Sequence, residues 1–180
     1  MEKTHTEPRI IPKTWDDAIG IIAGKIDYKR ALGVQHPMIG DYELQIPVIR
    51  MAYDNFAGQY YGAEPPEHVA ADWFTAMGII ALDTAGTFGY EMETAESLLP
   101  LLRSKMDDYG YENIARFGLD GILVRMHDKI ARLENLVGKK GPRNESVADT
   151  LADLIGYSMI GWLDTMGLWS LPLKGSDLLN

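Results

Sequence analysis

The stretch that most constrains the fold of this chain runs from Asn144 to Trp169 and reads NESVADTLADLIGYSMIGWLDTMGLW. Nearly every position between Leu151 and Leu163 is apolar or small, which is typical of a helix that is packed on most sides. The same stretch places Glu145, Asp149 and Asp153 four residues apart, so their side chains lie along one side of the helix. An enclosed carboxylate needs a cation, a hydrogen-bond donor or a proton. Asp153, at mid-helix, is therefore the first candidate for a functional site.

The composition indicates a soluble globular chain. Its 180 residues, with 46% hydrophobic and 24% charged residues, suffice for one compact domain. The net charge of -9 and the lack of a Lys/Arg cluster argue against direct binding to nucleic acid. There are no cysteines, so metal ligands would be carboxylates or the four histidines, which share no metal-ligand spacing. No segment reaches the ~20 apolar residues of a membrane span, and no signal peptide is evident, so we expect a cytoplasmic protein without membrane contacts.

Apolar residues recur at helical spacing along most of the chain, and no strand pattern competes with them. We therefore predict an all-α helical bundle of about six helices, with residues 1–13 as a loose arm and residues 14–180 as a single all-α domain. Residues 58–68, 105–118 and 138–144 are predicted connections, and the segment after Gly167 is a predicted irregular strap. The predicted helices run from an N-cap at Thr14 to about Leu32, from Tyr42 to Phe56, from about Pro66 to Thr84, from about Glu91 to Met106, from about Leu119 to Val137, and from an N-cap at Asn144 or Ser146 to Gly167.

Two helix pairs within the chain resemble each other. Residues 46–58 and 68–86 echo residues 122–138 and 149–167, and the alignment matches Asp72 with Asp153. It also matches Leu-Asp-Thr at 82–84 with Leu-Asp-Thr at 163–165. A duplicated helix pair explains this pattern and would make residues 14–90 a degenerate repeat. Chance similarity between two apolar core helices explains it as well.

The polar side of the predicted fifth helix carries a mixed stripe of charge. Arginine and lysine suit phosphate oxygens, and aspartate suits a hard divalent ion, so the stripe favours a metal-bound polyphosphate. An exposed face with intrahelical pairs, such as Asp128 with Arg132, is the alternative. The stripe consists of Arg125, Asp128, Arg132 and Asn135, with Lys129 at its edge.

A short turn between the last two helices would make them antiparallel neighbours. Asp128 would then face the acids of the next helix, and carboxylates gathered there would need Mg²⁺ or Mn²⁺ to offset their repulsion. Glu145 and Asp149 also suit the first turn of a helix, where acids are favoured by the helix dipole without any function.

Three segments in order carry a family resemblance: KMDDYGYEN, GLDGILVRMHDKIARLENL and NESVADTLADLIGYSMI. Together they resemble the phage and bacterial nucleotide-modification-associated domain, which is similar to the MazG-like all-α nucleoside triphosphate pyrophosphohydrolases. The resemblance covers about Leu102 to Leu163, within a nucleotide-binding portion at residues 91–167. It implies Mg²⁺- or Mn²⁺-dependent hydrolysis of a (deoxy)nucleoside triphosphate to monophosphate and pyrophosphate, for nucleotide-pool control in a bacterial or phage-infected cell. It also implies a homo-dimer or homo-tetramer.

The resemblance assigns roles to individual residues. Asp128, Asp149 and Asp153, with Glu145, would hold the metal, and Glu145, Asp149 and Asp153 would be catalytic. Only Asp128 lies on the stripe expected for the first acidic set, because Glu134 points to another face. This departure favours an alternative function, a non-catalytic nucleotide-binding or interaction module that assists DNA or nucleotide modification. The implied substrate-binding residues are Lys105, Tyr109, Asn113, Arg125, Lys129, Arg132, Asn135 and Tyr157, although the tyrosines also suit simple packing.

Overall fold

The computed structural model describes residues 11–33, 45–136 and 146–175. These residues form seven α-helices and one 3₁₀ turn and include no β-strand, so the predicted all-α class is confirmed. None of their helices combines the length and the apolar character that crossing a membrane requires. The helices are α1 (Trp15–Ala31), α2 (Gln45–Gly62), α3 (Glu67–Thr87), α4 (Leu99–Tyr109), α5 (Glu112–Ala115), α6 (Gly118–Leu136) and α7 (Val147–Thr165), and the 3₁₀ turn Glu96–Leu98 leads directly into α4.

Local sequence signals determine where α1 and α7 begin. Thr14 accepts a hydrogen bond from the backbone N–H of Asp17, whose carboxylate accepts one from the backbone of Thr14. Ser146 and Asp149 form the same reciprocal capping box at the start of α7. The predicted N-caps Thr14 and Ser146 are confirmed, and the alternative cap Asn144 lies outside the described residues.

Two middle helices extend beyond their predicted ends. α2 continues past Phe56 to Gly62, because Tyr60 lies against Phe56, which stacks on Trp73 of α3 at 4.0 Å between ring centroids. The predicted turn at 58–62 is therefore wrong. α3 continues through Gly86 to Thr87, and the positive φ of +73° at Gly89 marks the change of direction that follows. The predicted start of α2 at Tyr42 lies outside the described residues.

The predicted fourth helix is wrong in its first half. The helix begins only at Leu99, so Pro100 occupies its first turn, where the missing N–H of proline removes no intrahelical hydrogen bond. The predicted irregular connection at 105–118 also contains helix, since α4 runs to Tyr109 and α5 lies between 112 and 115. Gly110, with a φ of +66°, turns the chain between them.

The centre of the bundle is the contact between α3 and α7. Both helices are buried over most of their length, and α1, α2 and α6 pack around them. Glycines permit the close approach, because a methyl group at Gly161 would overlap the ring of Phe74 and one at Gly78 would overlap Ile26. The apolar stripe predicted for α6 is buried as expected from Ile122 to Leu133, while Val137 lies outside the described residues.

The segment that follows α7, residues 168–175, crosses the start of α1 as the predicted irregular strap. Trp169 is buried against Trp15 in an edge-to-face contact, with 6.1 Å between ring centroids. The backbone N–H of Trp15 donates to the carbonyl of Pro172 at 2.8 Å, and the N–H of Lys174 donates to Asp16 at 2.7 Å. The strap therefore joins the two ends of the described chain.

The aligned aspartates of the two helix pairs have similar partners. Asp72 on α3 pairs with Lys25 and Lys29, at 3.7 and 3.4 Å. The aligned Asp153 on α7 also pairs with two lysines. The duplication itself stays a prediction. Of the predicted loose arm, residues 1–10 lie outside the described residues, as do the predicted turn at 138–144 and its neighbour Glu145.

Candidate functional site

Asp153 is the point where three helices meet. Its Oδ1 accepts a hydrogen bond from Nζ of Lys105 on α4, and its Oδ2 accepts one from Nζ of Lys129 on α6, both at 2.6 Å. The Asp153 side chain is only 17% exposed. Its position in an apolar helix requires a partner, and two ammonium groups fulfil that requirement.

A glycine brings α4 close enough to α7 for this contact. A Cβ atom at Gly156, one turn after Asp153, would lie 3.0 Å from Cδ2 of Leu102. Leu102 is buried on α4, and Lys105 follows it by three residues, so both side chains lie on the face that meets α7. The missing side chain at Gly156 therefore lets Lys105 reach the carboxylate.

The ion pairs keep Asp153 ionised. Burial acts to raise the pKa of the Asp153 carboxyl, but the hydrogen bonds and positive charges of Lys105 and Lys129 outweigh it. The pKa of Asp153 consequently lies below its ordinary value, and the group carries its negative charge at neutral pH.

A cavity of about 340 Å³ opens beside this cluster, between α4, α5, α6, α7 and the strap. The indole N–H of Trp169 donates to the carbonyl of Tyr111 at 2.9 Å and fixes that ring in the wall. The apolar part of the lining consists of Trp15, Leu102, Met106, Ile114, Gly156, Ile160 and Trp169.

The polar part of the lining includes two cations, Lys105 and Arg125. Nη2 of Arg125 donates to Oδ1 of Asn113 at 2.8 Å, which holds the guanidinium at the cavity wall. Tyr109 is largely exposed and Tyr157 is half-buried. The polar lining consists of Lys105, Tyr109, Asn113, Arg125, Asp153 and Tyr157.

The structure thus gathers six of the residues that the sequence singled out around one cavity, and Lys129 contacts Asp153 beside it. Arg132 and Asn135 lie further along α6 and are not among the residues that line the cavity. The side-chain amide of Asn135 donates to the carbonyl of Ala131 at 2.8 Å, within its own helix.

The other predicted metal ligands do not join Asp153. The Asp128 side chain is 76% exposed, and it lies 4.0 Å from Nδ1 of the neighbouring His127. Asp149 caps α7, and its hydrogen bonds with Ser146 lower the pKa of its carboxyl. Within the ranges 11–33, 45–136 and 146–175, no three histidine or acidic side chains are grouped to hold a metal ion. The described acids therefore do not fit the ligand set that the resemblance implies, and Glu145 lies outside them.

Sequence reasoning missed the apolar wall. Trp15 and Trp169 belong to the buried core and also line the cavity. The two residues come from opposite ends of the described chain, so no spacing or motif indicates that they meet.

Comparison with known proteins gives no match for this chain among family models, curated proteins or solved structures. The assignment of a function therefore depends on the chemistry of the cavity and on the sequence motifs that line it.

Proposed function

We propose that this protein binds a nucleotide in the cavity between α4, α6 and α7. One observation carries the proposal: the lining of one cavity combines two cations, Lys105 and Arg125, with apolar and aromatic side chains. A nucleotide has the matching combination of an anionic phosphate and a planar base.

The two cations in the lining suit the phosphate. Arginine presents a planar fork of donors that matches phosphate oxygens, and lysine supplies a point charge. Asn113 orients the Arg125 guanidinium, and Asp153 orients the Lys105 ammonium. Both cations are thus held in position before a ligand arrives, which reduces the entropy lost on binding.

The apolar and aromatic part of the lining suits the base. Tyr109 and Tyr157 line the same cavity as both cations, so a base stacked on either ring would share the cavity with Lys105 and Arg125. The volume of about 340 Å³ falls within the range of small-molecule sites, roughly 300 to 1,000 Å³.

Hydrolysis of a nucleoside triphosphate to monophosphate and pyrophosphate is the second candidate function. It is favoured by the fact that each of the three segments carrying the family resemblance lines the cavity, through Lys105, Arg125 and Tyr157 respectively. Lys105 and Arg125 would bind the phosphates in either function. We assign no step to a metal, because the described acids do not form a ligand set for one.

The proposal also includes a cellular location and an oligomeric state. Both are supported by the family resemblance. The protein would act in the cytoplasm of a bacterial or phage-infected cell, on nucleotides rather than on nucleic acid directly. It would assemble as a homo-dimer or homo-tetramer, which light scattering after size-exclusion chromatography tests.

Removal of either cavity cation is expected to weaken nucleotide binding. Lys105→Met and Arg125→Met keep the aliphatic stem and lose the charge-assisted hydrogen bonds to phosphate, worth about 1.5–3 kcal/mol each. We expect the Kd measured by titration calorimetry to rise about 10-fold to 100-fold for each variant. The wild-type protein is first titrated with ribo- and deoxynucleotides of every base, in EDTA and again with Mg²⁺.

Lys29→Met is the matched control, since Lys29 also pairs with an aspartate but lies outside the cavity lining. Its Kd should equal that of the wild type. A wild-type protein that binds no nucleotide would refute the proposal, and so would a Lys29→Met variant that loses as much affinity as Lys105→Met. Chromatography of the titrated nucleotides with Mg²⁺ or Mn²⁺ separates the two candidates, because only hydrolysis releases pyrophosphate.

A further inference from the structure

We infer that residues 110–117 form a lid that opens and closes over the cavity, with Gly110 and Gly118 as its hinges. The segment connects α4 to α6 and contains the short helix α5. It contributes Gly110, Asn113 and Ile114 to the cavity lining. The lid adds a moving part to the cavity, and only the identity of the ligand that holds it closed rests on the proposed function.

The lid is lightly attached to the rest of the described chain. Ile114 is its one buried side chain, and every other residue of the lid is exposed. From the strap, Nε1 of Trp169 donates a hydrogen bond to the carbonyl of Tyr111 at 2.9 Å. From α6, Nη2 of Arg125 donates to Oδ1 of Asn113 at 2.8 Å. A segment with few buried contacts and exposed backbone hydrogen bonds opens at a lower free energy than the core.

A glycine with positive φ stands at each end of the lid. Gly110 has a φ of +66° and Gly118 a φ of +50°, a backbone conformation that other residues adopt only with strain. Apart from its chain neighbours, no atom of the described residues lies within 4 Å of a Cβ built at Gly110, so the space beside it is open. The ends of a moving segment absorb its changes in φ and ψ, and glycine does so most readily. The two glycines are therefore suited to act as hinges.

The groups that hold the lid also line the cavity. They are Ile114 within the lid, Arg125 on α6 and Trp169 in the strap. A ligand that fills the cavity therefore contacts the closed lid and its attachments, and it loses some of these contacts when the lid opens. Because a ligand favours the state that it binds more tightly, occupancy of the cavity holds the lid closed. Opening lets the ligand enter and leave.

Two substitutions are expected to loosen the lid. Gly110→Ala adds a side chain where the φ of +66° strains any other residue, so it disfavours the closed hinge. Asn113→Ala removes the side-chain oxygen that accepts from Arg125. Gly89→Ala is the matched control, because Gly89 has a φ of +73° and equally open surroundings but follows α3 and lies outside the cavity lining.

Hydrogen exchange on the ligand-free protein tests the lid by itself. The backbone N–H groups of residues 114–117 donate hydrogen bonds within the lid, and their exchange should share one free energy of opening that depends little on urea. We expect these amides to exchange at least about 10-fold faster than those of residues 122–133 in the core of α6. In Gly110→Ala and Asn113→Ala their exchange should rise together by at least about fivefold, and in Gly89→Ala it should equal that of the wild type. Exchange at the rate of α6, or a rise confined to the residue next to each substitution, would overturn the lid.

The nucleotide that binds best in the calorimetric titrations tests closure. At saturation it should slow the exchange of the lid amides at least about 10-fold in the wild-type protein. Its release, followed by tryptophan fluorescence in a stopped-flow instrument, should be at least about threefold faster in Gly110→Ala and unchanged in Gly89→Ala.

The outcomes separate the lid from the proposed function. A nucleotide that binds but leaves the exchange of the lid unchanged would overturn closure and leave nucleotide binding intact. If no nucleotide binds, the proposed function and closure on a nucleotide both fail, while a joint rise in exchange in the two ligand-free variants would still support the lid.

Discussion

At the scale of single residues, solvent exposure decides how much an aspartate with two lysine partners contributes to the stability of the fold. Asp72 is 64% exposed, and water and salt screen its pairs with Lys25 and Lys29. Asp153 is 17% exposed, and its pairs with Lys105 and Lys129 are shorter. Loss of an enclosed carboxylate removes a counter-charge from its cations, which costs more than the loss of an exposed pair.

Asp153→Asn should therefore destabilise the protein in a pH-dependent way. We expect the free energy of unfolding to fall by about 2 kcal/mol at pH 7, the scale of a charge-assisted hydrogen bond in a partly buried site. Because the pKa of Asp153 is lowered in the folded state, its contribution is present above the ordinary carboxyl pKa and disappears as the pH falls through the folded pKa. Urea denaturation from pH 7 down to pH 3 should show the two proteins converging in stability.

Asp72→Asn provides the comparison, since it removes the same chemistry at an exposed site. Its free energy of unfolding should change by less than about 0.5 kcal/mol at every pH. Equal losses in the two variants, or a loss in Asp153→Asn that does not shrink as the pH falls below the ordinary carboxyl pKa, would show that the pairs with Lys105 and Lys129 do not stabilise the fold as described.

At the scale of elements, the position of α4 determines whether the site exists. α4 supplies Lys105 and part of the apolar wall, and its place against α7 depends on the contact between Leu102 and the bare backbone at Gly156. Leu102 is buried and also lines the cavity. A side chain larger than a methyl group at position 156 would therefore press on Leu102 and, through it, on α4.

Gly156→Val should weaken both the fold and the site. We expect overpacking to lower the free energy of unfolding by about 1–3 kcal/mol, as is usual for enlarged side chains in a filled core. We expect the valine methyl groups to push Leu102 and α4 outward, separate Lys105 from Asp153 and raise the Kd for a nucleotide, measured by calorimetry at a temperature where the variant is folded. Gly58→Val on α2 is the control, because no atom lies within 4 Å of the added Cβ and its position is exposed. Wild-type affinity in Gly156→Val would contradict the importance of this contact.

At the scale of the whole molecule, the sequence predicts those features that local signals determine. The all-α class follows from helical spacing, and the starts of α1 and α7 follow from Thr14 and Ser146, whose side chains cap the backbone a few residues away. The late start of α4 was missed because helical spacing continues on both sides of Pro100, and only the proline indicates where the hydrogen bonds can begin.

The site was predictable only in part, because its assembly depends on how helices rotate against one another. The sequence places Asp128 and Lys129 side by side, but successive residues of a helix point about 100° apart. Packing turns Lys129 towards Asp153 and leaves Asp128 in solvent. Trp15 and Trp169 meet only after the strap has crossed α1, a contact between distant parts of the chain that no local pattern encodes.

The strap gives the last prediction, since one residue of it supports both the fold and the cavity. Trp169→Ala should lower the free energy of unfolding by about 3–5 kcal/mol, because it removes a buried ring that packs on Trp15. Trp169→Phe keeps a ring and loses the hydrogen bond to Tyr111, so its free energy of unfolding should fall by about 1–2 kcal/mol.

Both variants should bind a nucleotide more weakly, because Trp169 lines the cavity. Urea denaturation and calorimetry measure these effects, with the exposed Met166→Ala as control. If Trp169→Phe is as fully folded as the wild type and binds the nucleotide with unchanged affinity, the ligand does not contact the strap.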